Sequence, residues 1–244
     1  MMVEIKVYEW KPMDIRGMTV INGFPGVGLV STIAANYLIG TLKLEQWGAL
    51  DSPDFPPVAM IYDKKPKFPA RIYAQEESKV AVILSEFTPL PHLVRPISAM
   101  MLNWAKEHEC KRIVSPEVIY VKEEGKELGV FGVGSTDNAR EEMEKCGIKQ
   151  FSEGMISGVS GTLLNDGRMR DFDVFALVAH ARSGIPEARA TAKVIETIIK
   201  LVPSIKVDVA PLYEEAERVE EFVRRLREQA KPATEPSTPH SMYM

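Results

Sequence analysis

Cysteine is scarce in this 244-residue chain, present only as Cys110 and Cys146. Two cysteines build neither a disulfide framework nor a zinc site on their own. Long hydrophobic runs are missing as well. The longest, around Val80–Leu84 and Val174–Ala181, are strand-sized, far short of the roughly 18 apolar residues that a membrane-spanning helix needs. There is no basic excess: 30 Lys and Arg face 34 Asp and Glu, for a net charge of −4. That argues against a face for the phosphate backbone of nucleic acid. The opening MMVEIKVYEW carries an acid at Glu4 and no apolar h-region, so no signal peptide is expected there and the expected compartment is the cytoplasm. What is left, 45% hydrophobic and 26% charged residues, has the proportions of a globular protein with one large α/β domain.

Two hydrophobic periods alternate along the chain. Short β-rich runs fall at Met18–Asn22, Val58–Tyr62, Arg71–Ala74, Lys79–Leu84, Arg112–Ser115, Leu128–Phe131 and Asp173–Ala179. Between them, Val30, Ile33, Ala34, Tyr37, Leu38 and Thr41 share one face of a helix. So do Leu93, Ile97, Met100, Met101 and Trp104, with Pro96 expected in that helix's opening turn. A third stripe, Ala188, Ala192, Ile195, Ile199 and Val202, begins after Pro186 and stops at Pro203. KVAVIL and VFALVA are apolar without alternation, as in strands buried on both faces. The expected fold is therefore a three-layer α/β/α sandwich with a mixed, largely parallel sheet, occupying residues 1–210. Residues 51–69 hold five prolines around one short strand and read as a rigid, loop-rich insertion.

Residues 211–230 read as a charged helix. Leu212, Ala216, Val219, Val223 and Leu226 repeat at 4,3,4,3 spacing, a narrow seam suited to a partner helix. Acids crowd its start and arginines its end, as the helix dipole favours. The seam suits an oligomer interface or docking on the chain's own domain equally well. Residues 231–244 change character again: KPATEPSTPHS has three prolines and no large apolar residue, so no packed structure is expected of it. Yet Met242, Tyr243 and Met244, the last three residues, are all large and apolar.

Enzymatic motifs fare poorly. The turn Gly23-Phe24-Pro25-Gly26-Val27-Gly28 joins the first strand to the first helix, where a backbone can approach a pyrophosphate. Its spacing is G-x-x-G-x-G, however, and Pro25 removes a donor. The one Gly-Lys pair, Gly125-Lys126, lacks the rest of a P-loop. Ser157 and Ser160, set among Gly154, Gly158 and Gly161, miss the nucleophile-elbow frame. His92, His108, His180 and His240 are scattered without a paired carboxylate motif. Cys110 precedes Lys111 and Arg112, which could lower its pKa. Glu86, just after a strand, stands where α/β enzymes place functional groups. No catalytic residue, cofactor or metal is expected.

Several of these segments together resemble the proteasome assembly chaperone 2 family. They are Asn22-Gly23-Phe24-Pro25-Gly26-Val27-Gly28 leading to Tyr37-Leu38, Gly158-x-x-Gly161-Thr162-Leu163-Leu164, and Pro186-Glu187-Ala188-Arg189-Ala190. The likeness spans roughly Met18–Val202, with Ile185-Pro186-Glu187 where the family usually has Pro-Asp-Pro. Met242-Tyr243-Met244 is similar to the hydrophobic–tyrosine–any tripeptide with which proteasome activators dock between α-subunits of the core (20S) particle. The resemblance implies a cytoplasmic homo-oligomer, tetramer or pentamer, with an α/β/α sandwich like that of nucleoside phosphorylases and hydrolases. It implies an ATP-independent assembly chaperone or activator, with the 20S α-ring pockets as partner. The competing expectation is a small-molecule enzyme of phosphorylase or hydrolase type, using the glycine turns as an anion site; it requires an acid–base pair near Gly26 or Gly158.

Overall fold

A computed structural model describes residues 3–121, 129–181 and 187–229. Its strands are β1 (Lys6–Glu9), β2 (Thr19–Gly23), β3 (Glu45–Asp51), β4 (Met60–Tyr62), β5 (Lys65–Lys67), β6 (Ala70–Gln75), β7 (Val80–Ser85), β8 (Arg112–Tyr120), β9 (Val130–Gly134) and β10 (Val174–Ala181). The helices are α1 (Val30–Leu42), α2 (Pro91–Glu107), α3 (Asp137–Lys145), α4 (Gly158–Met169), α5 (Glu187–Leu201) and α6 (Ala210–Gln229).

Eight strands form one sheet in the order β1-β3-β6-β7-β2-β8-β10-β9. The central four, β7, β2, β8 and β10, run parallel to one another, and antiparallel strands extend the sheet on both sides. All six residues of β7 are buried, which its unbroken apolar run predicts. Helices cover both faces. On one, Val30, Ala34 and Leu38 of α1 and Ile195 and Ile198 of α5 join Ile21, Val82, Val114 and Phe175. On the other, Leu93, Ile97 and Met101 of α2 and Val159 and Leu163 of α4 join Val20, Ile83, Ile113 and Val174. The α/β/α sandwich is present. No described helix is long and apolar enough to cross a membrane.

Three details depart from the sequence expectations, and a fourth bears on an alternative left open there. First, α2 starts at Pro91, so Pro96 lies in its second turn and forfeits one backbone bond there. Second, β8 does not stop at Ser115 but runs through Pro116 to Tyr120. The Ile113 N–H bonds Asp173 O on the β10 side, so even-numbered residues of β8 face β2. Pairing with β2 ends at Val114, and Pro116 therefore costs no ladder bond. Third, the insertion at 51–69 holds two short strands, β4 and β5, around left-handed Asp63 and Lys64. Fourth, α6 docks on its own domain over its first two turns. Leu212 (4% exposed) is in the core of the α1/α5 face and Ala216 (0%) is buried, while Val219 is 42% exposed. Leu212 and Ala216 are thereby spent within the chain rather than left for a second subunit. The side chains of Val223 and Leu226 lie outside the described residues.

Candidate functional site

Parallel α/β sheets place ligands at the carboxyl ends of their strands, where successive connections diverge to opposite sides. Here that place lies between β2 and β8. The chain leaves β2 through Phe24–Leu29 into α1 on one face, while α4 approaches β8 amino-end first on the other. Left-handed Gly28 (φ 66°) and Leu29 (φ 54°) make the turn. The Ser31 hydroxyl donates to Phe24 O (2.7 Å) and the Thr32 hydroxyl to Gly23 O (3.3 Å). Gly23 is needed for close packing: a Cβ there would meet Ala35 Cβ at 2.7 Å. The glycine turn is thus locked by its own side chains, as a tight strand-to-helix connection requires.

Beneath it lies a buried chain of polar groups that the sequence did not announce. Asn22 Oδ1 accepts from the Phe24 N–H (3.1 Å), which fixes its amide with Nδ2 donating to Ser115 Oγ (2.7 Å). Ser115 and Ser160 hydroxyls lie 2.7 Å apart, and Ser160 donates in turn to Glu117 Oε1. The donors all point one way, from Asn22 through two serines to the carboxylate, so each bond polarises the next. Ser160, on the first turn of α4, is 1% exposed, so its hydroxyl is not presented to solvent as a nucleophile. Burial pushes the Glu117 carboxyl up to about 7, against the opposing pull of the Ser160 hydrogen bond. A Cβ on Gly26 would sit 3.3 Å from both Glu117 oxygens, so the glycine lets the turn close over the carboxyl. The signal that could have found this cluster, passed over in the sequence, is Glu117, an acid interrupting an apolar run just after Pro116.

The residues that the sequence singled out are dispersed. Glu86 pairs with Arg71, which is 2% exposed, and accepts from the Tyr62 hydroxyl (2.8 Å), tying the proline-rich insertion to the sheet. Burial pushes the Cys110 thiol up to about 12, overriding Lys111 and Arg112 beside it. His108 closes α2, with Nδ1 on Trp104 O (2.9 Å) and Nε2 by Glu9 (3.1 Å). His92 lies in the first turn of α2, and His180 lies against Phe131 near the end of β10. Met242, Tyr243, Met244 and His240 lie outside the described residues. Among the described residues, no His, Cys, Asp or Glu group is placed to hold a metal.

Comparison with known proteins identifies the frame around this cluster. The sequence model of the PAC2 family matches residues 20–227, from β2 into α6. The chain belongs to the PAC2 family. It is similar to Pyrococcus furiosus PbaA, described as an archaeal homolog of proteasome-assembly chaperone: 29% identity, 92% of each chain covered, TM-score 0.81. Pyrococcus furiosus PbaB, described as an archaeal proteasome activator, shares the fold at 23% identity and TM-score 0.77, over 92% of this chain and 99% of that one. An uncharacterized protein of Methanocaldococcus jannaschii is 26% identical over 94% of this chain and 93% of its own length. The family match takes in the glycine turn, the Glu117 cluster and α6 as far as residue 227.

Proposed function

We propose that this PAC2 protein binds the core proteasome as an ATP-independent assembly chaperone or activator, docking through Met242-Tyr243-Met244. PAC2 membership and the likeness to PbaA support the partner. The observation that carries the docking mode is the terminal tripeptide itself: three large side chains after a segment with no large apolar residue. Met242 fills an apolar part of an α-ring pocket. Tyr243 buries its ring at low entropy cost and positions the gate, and the Met244 carboxylate pairs with a lysine. A leash of about 14 residues spans roughly 20 Å, enough to reach a pocket beside the body. The absence of a P-loop motif supports independence from ATP.

The test is peptide hydrolysis by purified core proteasome, with the intact chain and with a chain ending at Ser241. Stimulation by the intact chain alone supports tail-dependent activation. Binding by both without stimulation favours an assembly chaperone that grips through its folded surface. Tyr243→Ala is expected to weaken binding by at least about tenfold, the cost of a buried aromatic anchor.

The small-molecule reading draws on one observation, the Glu117–Ser160 pair between Gly26 and Gly158. Calorimetric titration with inorganic phosphate and with a nucleoside separates the two readings. Tight binding that Glu117→Gln abolishes favours the enzyme; no heat from either ligand leaves the proteasome reading in place.

A further inference from the structure

Strand β1 ends the eight-stranded sheet: β3 pairs with it on one side, and no described strand lies on the other. The Trp10 N–H bonds Trp47 O, so the backbone of even-numbered residues faces β3, and the N–H and C=O of Val7 and Glu9 point out along the free edge. Free edges are ordinarily blunted by charge or cover. Beside this one, β1 and α2 wall a groove of about 890 Å³, a volume usual for ligand sites. Its lining includes Val3, Ile5, Val7, Pro96 and Met100, all half-buried. The edge thus offers open ladder bonds and apolar surface together.

The groove carries opposite charge at its two ends. Glu9 accepts from Trp104 Nε1 (3.1 Å) and lies 3.1 Å from His108 Nε2, which sets the end of α2 beside the end of β1. Glu9 and Glu107 therefore mark one end, and Arg95 with His92 the other, toward Val3. Arg95 and Glu107 stand 12 residues apart on α2, a rise of about 18 Å. The six steps from Val3 to Glu9 reach at most about 20 Å. Both walls set the same length for an extended occupant, about seven residues.

We propose that β1 and this groove bind an extended segment of a different protein as an added antiparallel strand, reading four of its side chains. Opposed residues of an antiparallel pair point to the same face. The residue opposite Val7 exchanges both ladder bonds with it, and the residues opposite Val3, Ile5, Val7 and Glu9 send their side chains into the groove. From its amino end the segment reads basic, any, apolar, any, apolar, any, acidic. Its cation meets Glu9 and Glu107, two apolar side chains cover the floor, and its carboxylate meets Arg95. A second β1 does not satisfy that pattern: Val3, Ile5, Val7 and Glu9 would bring an acid to Arg95 and no cation to Glu9. Residues 231–244 do not satisfy it either. Their one acid is Glu235, and four positions before it stands Lys231, where an apolar side chain is required. The proposal stands on the edge and groove alone and does not depend on the proteasome reading.

The probe is a fluorescein-labelled peptide, Ser-Lys-Thr-Val-Thr-Val-Thr-Glu-Ser, blocked at both ends and titrated with the full chain while its anisotropy is followed. Saturable binding is expected. Val7→Pro removes the outward donor and no bond to β3, and is expected to weaken binding at least about tenfold, with folding checked by circular dichroism. Arg95→Glu, at an exposed position, is expected to weaken it similarly. A peptide with Lys in place of its Glu should recover that loss on the Arg95→Glu chain, a rescue that a merely disturbed fold would not give. No saturation by about 1 mM chain overturns the proposal. So does binding indifferent to Val7→Pro and Arg95→Glu. Displacement of the probe by a peptide of residues 231–244, or its exclusion from self-associated chain in sedimentation, assigns the groove to another occupant and overturns the proposal as well.

Discussion

Two carboxylates show how differently burial can be resolved at the residue scale. Glu86 faces the Arg71 guanidinium, whose remaining donors reach Tyr73 Oη (2.9 Å) and Phe68 O (2.6 Å). Removing the acid strands a buried cation, so Glu86→Ala is expected to cost about 3–5 kcal/mol, read as a lowered denaturation midpoint. A change below about 1 kcal/mol would mean that Arg71 finds another partner. Among the described residues Glu117 faces no cation; the Ser160 hydroxyl donates to it, and its pKa rises from 4.5 to about 7. An acid with a raised folded pKa holds its proton more tightly when folded. Its contribution is therefore greatest below about pH 4.5 and is lost as pH rises toward 7, on the order of 3 kcal/mol in all. Glu117→Gln removes that slope. Melting of the wild type is expected to fall by several degrees more than that of the variant between about pH 5 and pH 8. Parallel curves would contradict the assignment. Of these two residues only Glu86 drew notice in the sequence, because it follows an apolar run; its partner Arg71 lies 15 positions away, across a strand pairing that no local period reveals.

Among elements, legibility followed the hydrophobic contrast. Strands β2, β7 and β10 are buried throughout or nearly so and announce themselves as apolar runs. Strands β1 and β3 do not, since β1 is a four-residue edge and Gly48 interrupts β3. That glycine is required: a Cβ there would lie 2.4 Å from Tyr8 O of β1, at the point where the β3–β6 pairing shifts register between Gln46 and Gly48. Helix α3 buries only Ala139 and Met143, too narrow a stripe to stand out, although Thr136 caps it through the Ala139 N–H (3.0 Å). The α6 seam was legible as a repeat, but its first partner was not, because heptad spacing is indifferent to whether α5 or another subunit meets it. Leu212→Ala is expected to cost about 2–4 kcal/mol through the cavity it leaves. Protease cleavage after α5 should accelerate accordingly, since α6 loses its anchor. Unchanged cleavage and stability would place the anchoring of α6 elsewhere.

For the whole molecule, the strength of engagement depends on how many tails one particle presents to the core proteasome. A single three-residue handle on a leash binds weakly, and a second tail on the same particle binds at millimolar effective concentration when geometry permits. A synthetic peptide of residues 231–244 supplies the single-tail reference, since it carries Met242, Tyr243 and Met244 without the folded body. If tails act together, the peptide needs on the order of 10–100 times higher concentration than the intact chain for half-maximal binding to the core proteasome. Equal affinity per tail for the peptide and the intact chain would show that each tail acts alone, and the folded body would then contribute no avidity to the grip on the proteasome.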